Sequence, residues 1–250
     1  MNGGKAETYM TEHRTIYAKT NAHAVATAVE ILTANLDLTL VKYGSATLML
    51  SGGGSPKPVY EALSKVKMDW SHVSCGLVDE RWVPEGHSAS NTAMIRKTLV
   101  QNKAEAVSLY PMTNSEPDAK TGASDICELY HSIGLPYDIC VMGMGSDGHT
   151  ASWFPGSPDL ESALDMNAQH LCMGVDASGC EGAGDITDRI TLSRAAVLTA
   201  SLILLYIPSR AKRKLFEIAV ENYINGDLTT LPVASLLDAG KRLIVITSEV

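Results

Sequence analysis

Positive charge is in short supply in this chain of 250 residues. Its 20 Lys and Arg residues stand against 28 Asp and Glu residues, which leaves a formal net charge of −8. Proteins that bind nucleic acid without sequence preference neutralise phosphates with a surplus of Lys and Arg, so we expect no nucleic-acid partner. The same charge does not exclude a small anionic ligand, because a few Arg and Lys side chains inside a cleft override the global sign there.

Cysteine is also scarce. The chain has 5 cysteines, an odd number, and no two of them have the spacing of a Cys-x-x-Cys motif. This pattern argues against a disulfide framework and against a zinc site, so we expect a protein of a reducing compartment. We expect neither a bound metal nor a cofactor.

Long apolar runs are missing as well. The longest, residues 195–207, is interrupted by Thr199 and Ser201 and falls short of the roughly 20 residues that a membrane-spanning helix needs. The first thirteen residues lack a basic end followed by an apolar core, so we expect no secretory signal and interpret residues 1–13 as a flexible N-terminal segment. We expect a cytoplasmic monomer that does not bind membranes.

What the chain does contain is a regular alternation of helix-like and strand-like segments. Short apolar runs at residues 46–50, 73–78 and 139–142 are separated by stretches with apolar residues three and four positions apart. This alternation is typical of α/β proteins. We predict one catalytic domain over residues 14–250, with a mainly parallel, Rossmann-like sheet flanked by helices on both faces. No linker marks a second domain.

Two stretches rich in glycine and acidic residues are predicted to lie outside these elements. Residues 114–122 combine Glu, Pro, Asp and Gly, and we predict a loop there. Residues 176–188 read DASGCEGAGDITD, which indicates a flexible surface loop that is either a lid or a decoration.

The first candidate site is a glycine-rich loop. Residues 51–56, SGGGSP, follow a predicted strand and precede a predicted helix. Glycines leave backbone N–H groups unobstructed and a helix start favours an anion, so this arrangement is typical of phosphate binding. The stretch is neither a Walker A loop nor Gly-x-Gly-x-x-Gly. The candidate ligands are Gly52, Gly53, Gly54 and Ser55, and an ordinary turn is the alternative.

The second candidate site is a charged segment after the predicted strand 73–78. Its sequence, DERWVP at residues 79–84, places several charges where loops of α/β sheets carry functional groups. Arg81 offers a planar fork of donors suited to a phosphate or a carboxylate. The alternative is a surface ion pair between Asp79 and Arg81 that only holds the loop.

The third candidate site follows the predicted strand 139–142. Glycines there precede Asp147 and His149, at the carboxyl end of a strand, where open α/β sheets bind their ligands. His149 has the chemistry of a general base, and Asp147 that of a partner which orients it. A tight turn with a merely polar histidine is the alternative.

Four segments together resemble one known family. They are GMGSDGHTASWFP (143–155), LMLSGGGSP (48–56), DERWVP (79–84) followed by Ser90-Asn91, and RITLS (189–193). These segments are similar to the signatures of the 6-phosphogluconolactonases, in the glucosamine-6-phosphate isomerase/6-phosphogluconolactonase family. They occur in the family's order and span nearly the whole chain.

The resemblance implies hydrolysis of 6-phosphoglucono-δ-lactone to 6-phosphogluconate in the oxidative pentose phosphate pathway. His149 would activate the water, Asp147 would support His149, and N–H groups near Gly145 would stabilise the oxyanion. The substrate and its phosphate would be held by the Gly52–Ser55 loop together with Asp79, Arg81, Arg189 and Lys212. The family commonly has a glycine three residues before this lysine, whereas this chain has Ser209.

Two other functions stay open. Glucosamine-6-phosphate deaminases share the Gly-x-Gly-x-Asp-Gly-His stretch, but theirs continues with Asn-Glu-Pro, whereas this chain has Trp153-Phe154-Pro155. A non-catalytic sugar-phosphate sensor would keep the phosphate loop and lose the base, and the presence of His149 and Asp147 argues against it. A covalent serine mechanism is disfavoured because no Gly-x-Ser-x-Gly motif occurs.

Overall fold

The order of helices and strands in the computed structural model, which describes residues 12–248, follows the predicted alternation. The strands are β1 (Arg14–Ala18), β2 (Ala46–Leu50), β3 (Val73–Leu77), β4 (Asp79–Arg81), β5 (Ser108–Leu109), β6 (Ile139–Met142), β7 (Cys172–Asp176), β8 (Asp188–Leu192), β9 (Leu202–Ile207) and β10 (Leu243–Ser248). The helices are α1 (Asn21–Tyr43), α2 (Lys57–Leu63), α3 (Asn91–Thr98), α4 (Ala119–Ile133), α5 (Leu160–Leu164), α6 (Arg194–Val197) and α7 (Arg210–Ile224). Short 3₁₀ helices occur at Trp70–His72, Asn102–Ala104, Glu181–Ala183 and Pro232–Arg242.

The central sheet has seven strands in the order β1-β10-β9-β6-β2-β3-β5, and every pair in it is parallel. Its inner strands are mostly apolar because both sheet faces are covered; all six residues of β9 are buried. From β2 the chain proceeds to β3 and β5, and from β6 it proceeds the other way, to β9 and β10. The neighbours β2 and β6 therefore flank the topological switch point, where ligands of open α/β sheets bind.

Helices cover both faces of this sheet. The first three helices contact one another in sequence, α1 with α2 and α2 with α3, whereas α7 contacts β10 and the 3₁₀ segment Pro232–Arg242. Because parallel crossovers are right-handed, connections that run in opposite directions along the sheet place their helices on opposite faces. The predicted Rossmann-like α/β fold is confirmed.

A second sheet was not predicted. Three antiparallel strands, in the order β4-β8-β7, form a small sheet beside the large one. The strand β4 begins only two residues after β3 ends, and Leu192 N donates to Val78 O at 2.8 Å, which joins β8 to this connection. The three charged residues of β4, Asp-Glu-Arg, carry no strand periodicity, so no sequence pattern predicted this strand.

The longest helix, α1, supplies one side of the core. Ala24, Ala28, Leu32 and Leu36 are fully buried at the helical spacing that the sequence predicts. By length and composition α1 is also apolar enough to cross a membrane, a test that core helices of globular proteins pass as well. Its contacts with β1, β2, β6 and β10 make it part of the α/β core.

The loop predicted over residues 114–122 is wrong in its second half. Helix α4 already begins at Ala119, and Asp118 caps it by accepting a hydrogen bond from Thr121 N at 2.8 Å. Position 122, inside this helix, is a glycine because the Trp82 ring packs against its backbone. A Cβ there would approach Trp82 Cη2 to 2.3 Å. Of the residues that suggested a loop, Asp118 thus caps α4 and Gly122 makes room for the Trp82 ring.

The stretch 176–188 is also less loose than predicted. Ala177 and Ala183 are buried and pack with Phe154 and Val175 in a small apolar cluster of their own. This stretch is therefore part of the packed structure, not a surface loop throughout. The predicted flexible segment 1–13 lies outside the described residues except for Glu12 and His13, and the His13 ring contacts that of Phe216 edge-on.

Candidate active site

One cleft at the carboxyl ends of the central strands gathers the predicted site residues. Its wall includes ten of them: Gly52, Gly53, Gly54, Ser55, Asp79, Arg81, Gly145, His149, Arg189 and Lys212. They come from the loop after β2, from β4, from the loop after β6, from β8 and from α7. Asp147 does not line the cleft, but it contacts His149 directly.

The His149–Asp147 pair is the most closely bound group of the site. His149 Nδ1 lies 2.5 Å from Asp147 Oδ1, and both side chains are largely buried. Burial alone would raise the pKa of Asp147, but the hydrogen bond and charge of His149 outweigh it and the pKa is lowered. An ionised carboxylate only accepts hydrogen bonds, so in the neutral imidazole Nδ1 carries the proton and Nε2 the lone pair. Within residues 12–248, nothing hydrogen-bonds Nε2.

Two glycines allow this pair to close. A Cβ on Gly145 would lie 2.2 Å from His149 Nδ1, and a Cβ on Gly182 would lie 2.3 Å from Asp147 Oδ2. Side chains at either position would displace one partner, so the pair depends on both glycines. Gly145 N also donates to His149 O at 2.9 Å, which fixes the turn between them.

Aromatic and cationic groups complete the surroundings of His149. The Phe154 ring lies 4.5 Å from the His149 ring, tilted by 41°. The Arg189 guanidinium in turn lies 5.4 Å from the centre of the Phe154 ring, within cation–π range. Arg189 also donates from Nε to Ile186 O at 2.7 Å and from Nη2 to Ala183 O at 2.5 Å. This residue thereby holds the segment that contains Gly182.

The glycine-rich loop presents unused donors to the cleft. No hydrogen bond within the described part of the chain uses the backbone N–H groups of residues 52–55. Gly53 has a φ of 91°, which glycine adopts without strain, and Gly52 abuts the Asn91 side chain too closely for any Cβ. Helix α2 is only seven residues long and carries Pro58 in its first turn, so the donors come from the loop itself.

The proposed alternative for Asp79 and Arg81, a surface ion pair, is not present. Asp79 is 8% exposed and its Oδ2 accepts a hydrogen bond from Ser152 Oγ at 2.8 Å. Arg81 Nη1 donates to Ala89 O at 2.6 Å instead of pairing with Asp79. Arg81 therefore lies in the cleft wall without a carboxylate partner among residues 12–248.

The residue between them, Glu80, has a structural position that the sequence did not reveal. Its fully buried carboxylate accepts hydrogen bonds from Asn91 N at 2.8 Å and from Thr92 N at 2.7 Å, at the start of α3. Burial raises the pKa of Glu80, and these hydrogen bonds offset that effect only in part. Glu80 thus ties β4 to α3 beneath the cleft.

Lys212 adds a third cation. It lies in the first turn of α7, and burial lowers its pKa. No acidic side chain within the described ranges pairs with it. Ser209 occupies the position at which the family commonly has a glycine. Its backbone is extended, with a φ of −153°, a conformation that any residue adopts, so a glycine is not required here. Arg81, Arg189 and Lys212 together make the cleft a place of positive charge in an acidic protein.

Eight further residues line the cleft without having been predicted as site residues: Ser51, Pro56, Asn91, Gly143, Met144, Ala151, Gly182 and Tyr206. The Ser51 hydroxyl is buried and has no hydrogen-bond partner in the described structure, although it precedes the glycine run that was recognised. Tyr206 lies near the carboxyl end of β9, where position alone could have suggested it. No sequence pattern marked Gly182 as a site residue, because residues 176–188 indicate only a loop.

A parallel α/β sheet with a His–Asp pair and three cations at its switch point defines an enzyme of small anionic substrates. The chain belongs to the glucosamine-6-phosphate isomerases/6-phosphogluconolactonase family, whose sequence model matches residues 19–245. This confirms the resemblance drawn from the four sequence segments.

Individual relatives share one name. The chain is 33% identical over 228 residues to a 6-phosphogluconolactonase of Rhizobium meliloti, covering 91% of this chain and 94% of the relative. It is 37% identical over 206 residues to one of Pseudomonas aeruginosa, with 80% and 81% covered. A crystal structure of a 6-phosphogluconolactonase from Shewanella baltica superposes with a TM-score of 0.87 at 32% identity, covering 95% and 98% of the two chains.

Proposed function

We propose that this protein hydrolyses 6-phosphoglucono-δ-lactone to 6-phosphogluconate, as the names of its relatives suggest. The observation that carries the proposal is the pair of His149 and Asp147 at the wall of a cleft whose three cations have no carboxylate partner among the described residues. The pair supplies a base, and the cations suit a phosphorylated substrate. The reaction would serve the oxidative pentose phosphate pathway, in the cytoplasm, with residues 14–250 of a monomer as the catalytic unit.

In the first step, His149 acts as the general base. A water molecule attacks the carbonyl carbon C1 of the lactone while Nε2 of His149 takes one of its protons. Asp147 holds Nδ1–H and stabilises the imidazolium that forms. The N–H groups of Met144 and Ser146, beside Gly145, make no hydrogen bond within residues 12–248 and are the candidates that stabilise the oxyanion on the former carbonyl oxygen.

In the second step, the ring opens. The bond between C1 and the ring oxygen breaks as the oxyanion collapses, and the imidazolium of His149 returns the proton to the ring oxygen. The product is an acyclic acid with a free hydroxyl, and His149 is again neutral. Neither step needs a metal or a cofactor.

The remote phosphate provides binding energy that positions C1 against the base. The loop donors of residues 52–55 and the cations Arg81, Arg189 and Lys212 are the candidates for this contact. Asp79, held by Ser152, would order the floor of the cleft and interact with the sugar hydroxyls.

The deaminase branch of the family is the second candidate, and the structure disfavours it at one point. In deaminases the segment after the His carries a glutamate that supports it, whereas Phe154 lies against His149 here. A phenyl ring cannot accept a proton or stabilise the imidazolium as a carboxylate does. A non-catalytic sensor would not need the closely bound His149–Asp147 pair.

The test is the rate of lactone loss with freshly generated 6-phosphoglucono-δ-lactone, corrected for spontaneous hydrolysis. We expect wild type and His72→Ala, which changes an exposed surface histidine, to be active, and His149→Ala to be slower by about a hundredfold or more. Equal activity of His149→Ala would remove His149 as the base. Deamination of glucosamine 6-phosphate without lactone loss would overturn the proposed function, as would phosphosugar binding without turnover.

A further inference from the structure

A pair of cysteines lies far from the cleft, and neither has a part in the proposed reaction. Cys127, on α4, and Cys172, the first residue of β7, are 45 positions apart in the chain, but their Sγ atoms lie 3.0 Å from each other. The sulfurs of a disulfide are about 2 Å apart, so they would have to approach by only about 1 Å. Both cysteines are free thiols in this structure.

The surroundings of the two thiols differ in a way that makes Cys127 the reactive one. Cys172 N–H donates to Cys127 Sγ at 3.3 Å, and the Cys172 thiol contacts the same sulfur. These donors, the Cys172 thiol first, lower the pKa of Cys127 to about 7 in spite of its partial burial. The pKa of Cys172 is raised, by its hydrogen bond to Cys127 and then by burial, so Cys172 keeps its proton.

Cys127 is also within reach of a reagent in solution. It is half-buried and lines a groove of about 910 Å³ between α4 and β7, whereas Cys172 is only 1% exposed. The charged and titratable side chains of this groove are Lys120, Glu128, His131, Asp159 and His170. Lys120 is paired with Asp159 at 3.2 Å, and none of these charges repels an uncharged oxidant such as hydrogen peroxide.

We propose that Cys127 and Cys172 form a peroxide-reactive thiol pair, in which Cys127 is oxidised first and Cys172 resolves it to an intramolecular disulfide. The substrate class is a small hydroperoxide, such as hydrogen peroxide. This modification site is independent of the lactone cleft. It also refines the expectation of a reducing compartment, since such a pair is reduced at rest and oxidised only under stress.

The chemistry balances in two steps. The Cys127 thiolate attacks one peroxide oxygen, the O–O bond breaks, and the leaving oxygen takes a proton to give water and a sulfenic acid on Cys127. The Cys172 sulfur then attacks Cys127 Sγ, the S–O bond breaks, and the departing hydroxyl leaves as water with the Cys172 proton. Two thiols lose two electrons, and hydrogen peroxide is reduced to two waters. A dithiol reductant reverses the change.

The test is mass spectrometry of the intact protein and of its peptides after brief treatment with a small excess of hydrogen peroxide near neutral pH. We expect wild type to lose the mass of two hydrogen atoms, with a peptide joined through Cys127 and Cys172, and to recover with dithiothreitol. In Cys172→Ser, which keeps a hydrogen-bond donor beside Cys127 but cannot resolve, Cys127 should gain one oxygen and react with dimedone, a sulfenic-acid reagent. Cys180→Ser, which changes another partly exposed thiol, should behave as wild type.

A second readout does not depend on the variants folding well. Differential alkylation of the wild type near neutral pH should label Cys127 about tenfold faster than Cys180, whose pKa is raised by burial. If peroxide oxidises Cys180 first, if no crosslinked peptide forms, or if Cys127 is alkylated no faster than Cys180, the proposal is overturned.

Discussion

Arg81 and Arg189 lie directly opposite each other across the antiparallel pair of β4 and β8. Like charges at paired positions of a sheet destabilise it. Burial lowers the pKa of Arg189, the nearby Asp79 carboxylate opposes that change, and the charge of Arg81 adds to it. With Lys212 lining the same cleft, an anion bound between the cations, as the proposed function expects, would offset their repulsion. The second, smaller sheet therefore contributes directly to the proposed site.

The first prediction concerns the phosphate. Arg81→Ala should raise KM for 6-phosphoglucono-δ-lactone about ten- to a hundredfold, because a charge-assisted hydrogen bond contributes about 1.5–3 kcal/mol. The rate with unphosphorylated glucono-δ-lactone should change little. Arg96→Ala, which removes only an exposed pair with Glu85, is the matched control for loss of an arginine. Equal losses with both lactones would assign Arg81 to the sugar or to the fold.

The second prediction concerns the partner of the base. Asp147→Asn should lower kcat by about a thousandfold, because an amide can donate to Nδ1 and so stabilise the wrong tautomer of His149. Asp176→Asn, an exposed carboxylate outside the cleft, is the control. Steady-state kinetics would separate kcat from KM, and an unchanged kcat would contradict the role given to Asp147.

The Asp147→Asn variant also tests how the free energy of unfolding depends on pH. The pKa of Asp147 is lower in the folded state than in the unfolded chain, so ionised Asp147 stabilises the fold above the unfolded pKa. This contribution is lost as the pH falls through the lowered pKa. The difference in unfolding free energy between wild type and Asp147→Asn should thus be constant near neutral pH and shrink below about pH 4. Urea unfolding at several pH values measures it, and a difference that grows with acid would reverse the assignment.

The third prediction tests the role of Gly182 in positioning the pair. Gly182→Ala should lower kcat about ten- to a hundredfold, because the new Cβ displaces Asp147 from His149. The melting temperature should move little, since the change adds only one methyl group at the edge of the cleft. Gly86→Ala, where a Cβ meets nothing, is the control and should leave kcat unchanged. A normal kcat in Gly182→Ala would show that the pair tolerates displacement.

The fourth prediction concerns Glu80, which supports the cleft without lining it. Glu80→Gln replaces one acceptor oxygen by a donor, which leaves N–H groups at the start of α3 unsatisfied. We expect a loss of about 2–4 kcal/mol in the free energy of unfolding. Glu85→Gln, which breaks an exposed ion pair, should cost less than about 1 kcal/mol. Chemical denaturation of both variants makes the comparison, and similar losses would contradict it.

The sequence predicted the parts of the site that depend on local pattern. The strand at residues 139–142 has the predicted bounds, and the residues after it form the expected turn with Asp147 and His149. Apolar periodicity and glycine chemistry act over a few residues, so they are readable in one stretch of chain.

The remaining parts of the site depend on contacts between distant segments. Gly182 lies beside Asp147 only because β7 and β8 fold back beside the large sheet, and no local pattern encodes that approach. The pairing of Arg81 with Arg189 likewise requires β4, a strand of three residues that is fixed by its partner. The approach of Cys127 to Cys172 is another contact of this kind.

The several contacts of Arg189 limit how the enzyme can be redesigned. Its guanidinium lines the cleft, holds the segment of Gly182 through Ala183 and Ile186, and stacks on Phe154, which borders His149. Under the proposed roles, substrate choice and catalytic geometry are therefore linked in this one side chain. Engineering toward neutral lactones should begin at Arg81 and Lys212 and retain Arg189, because exchanging it would alter the base together with the substrate preference.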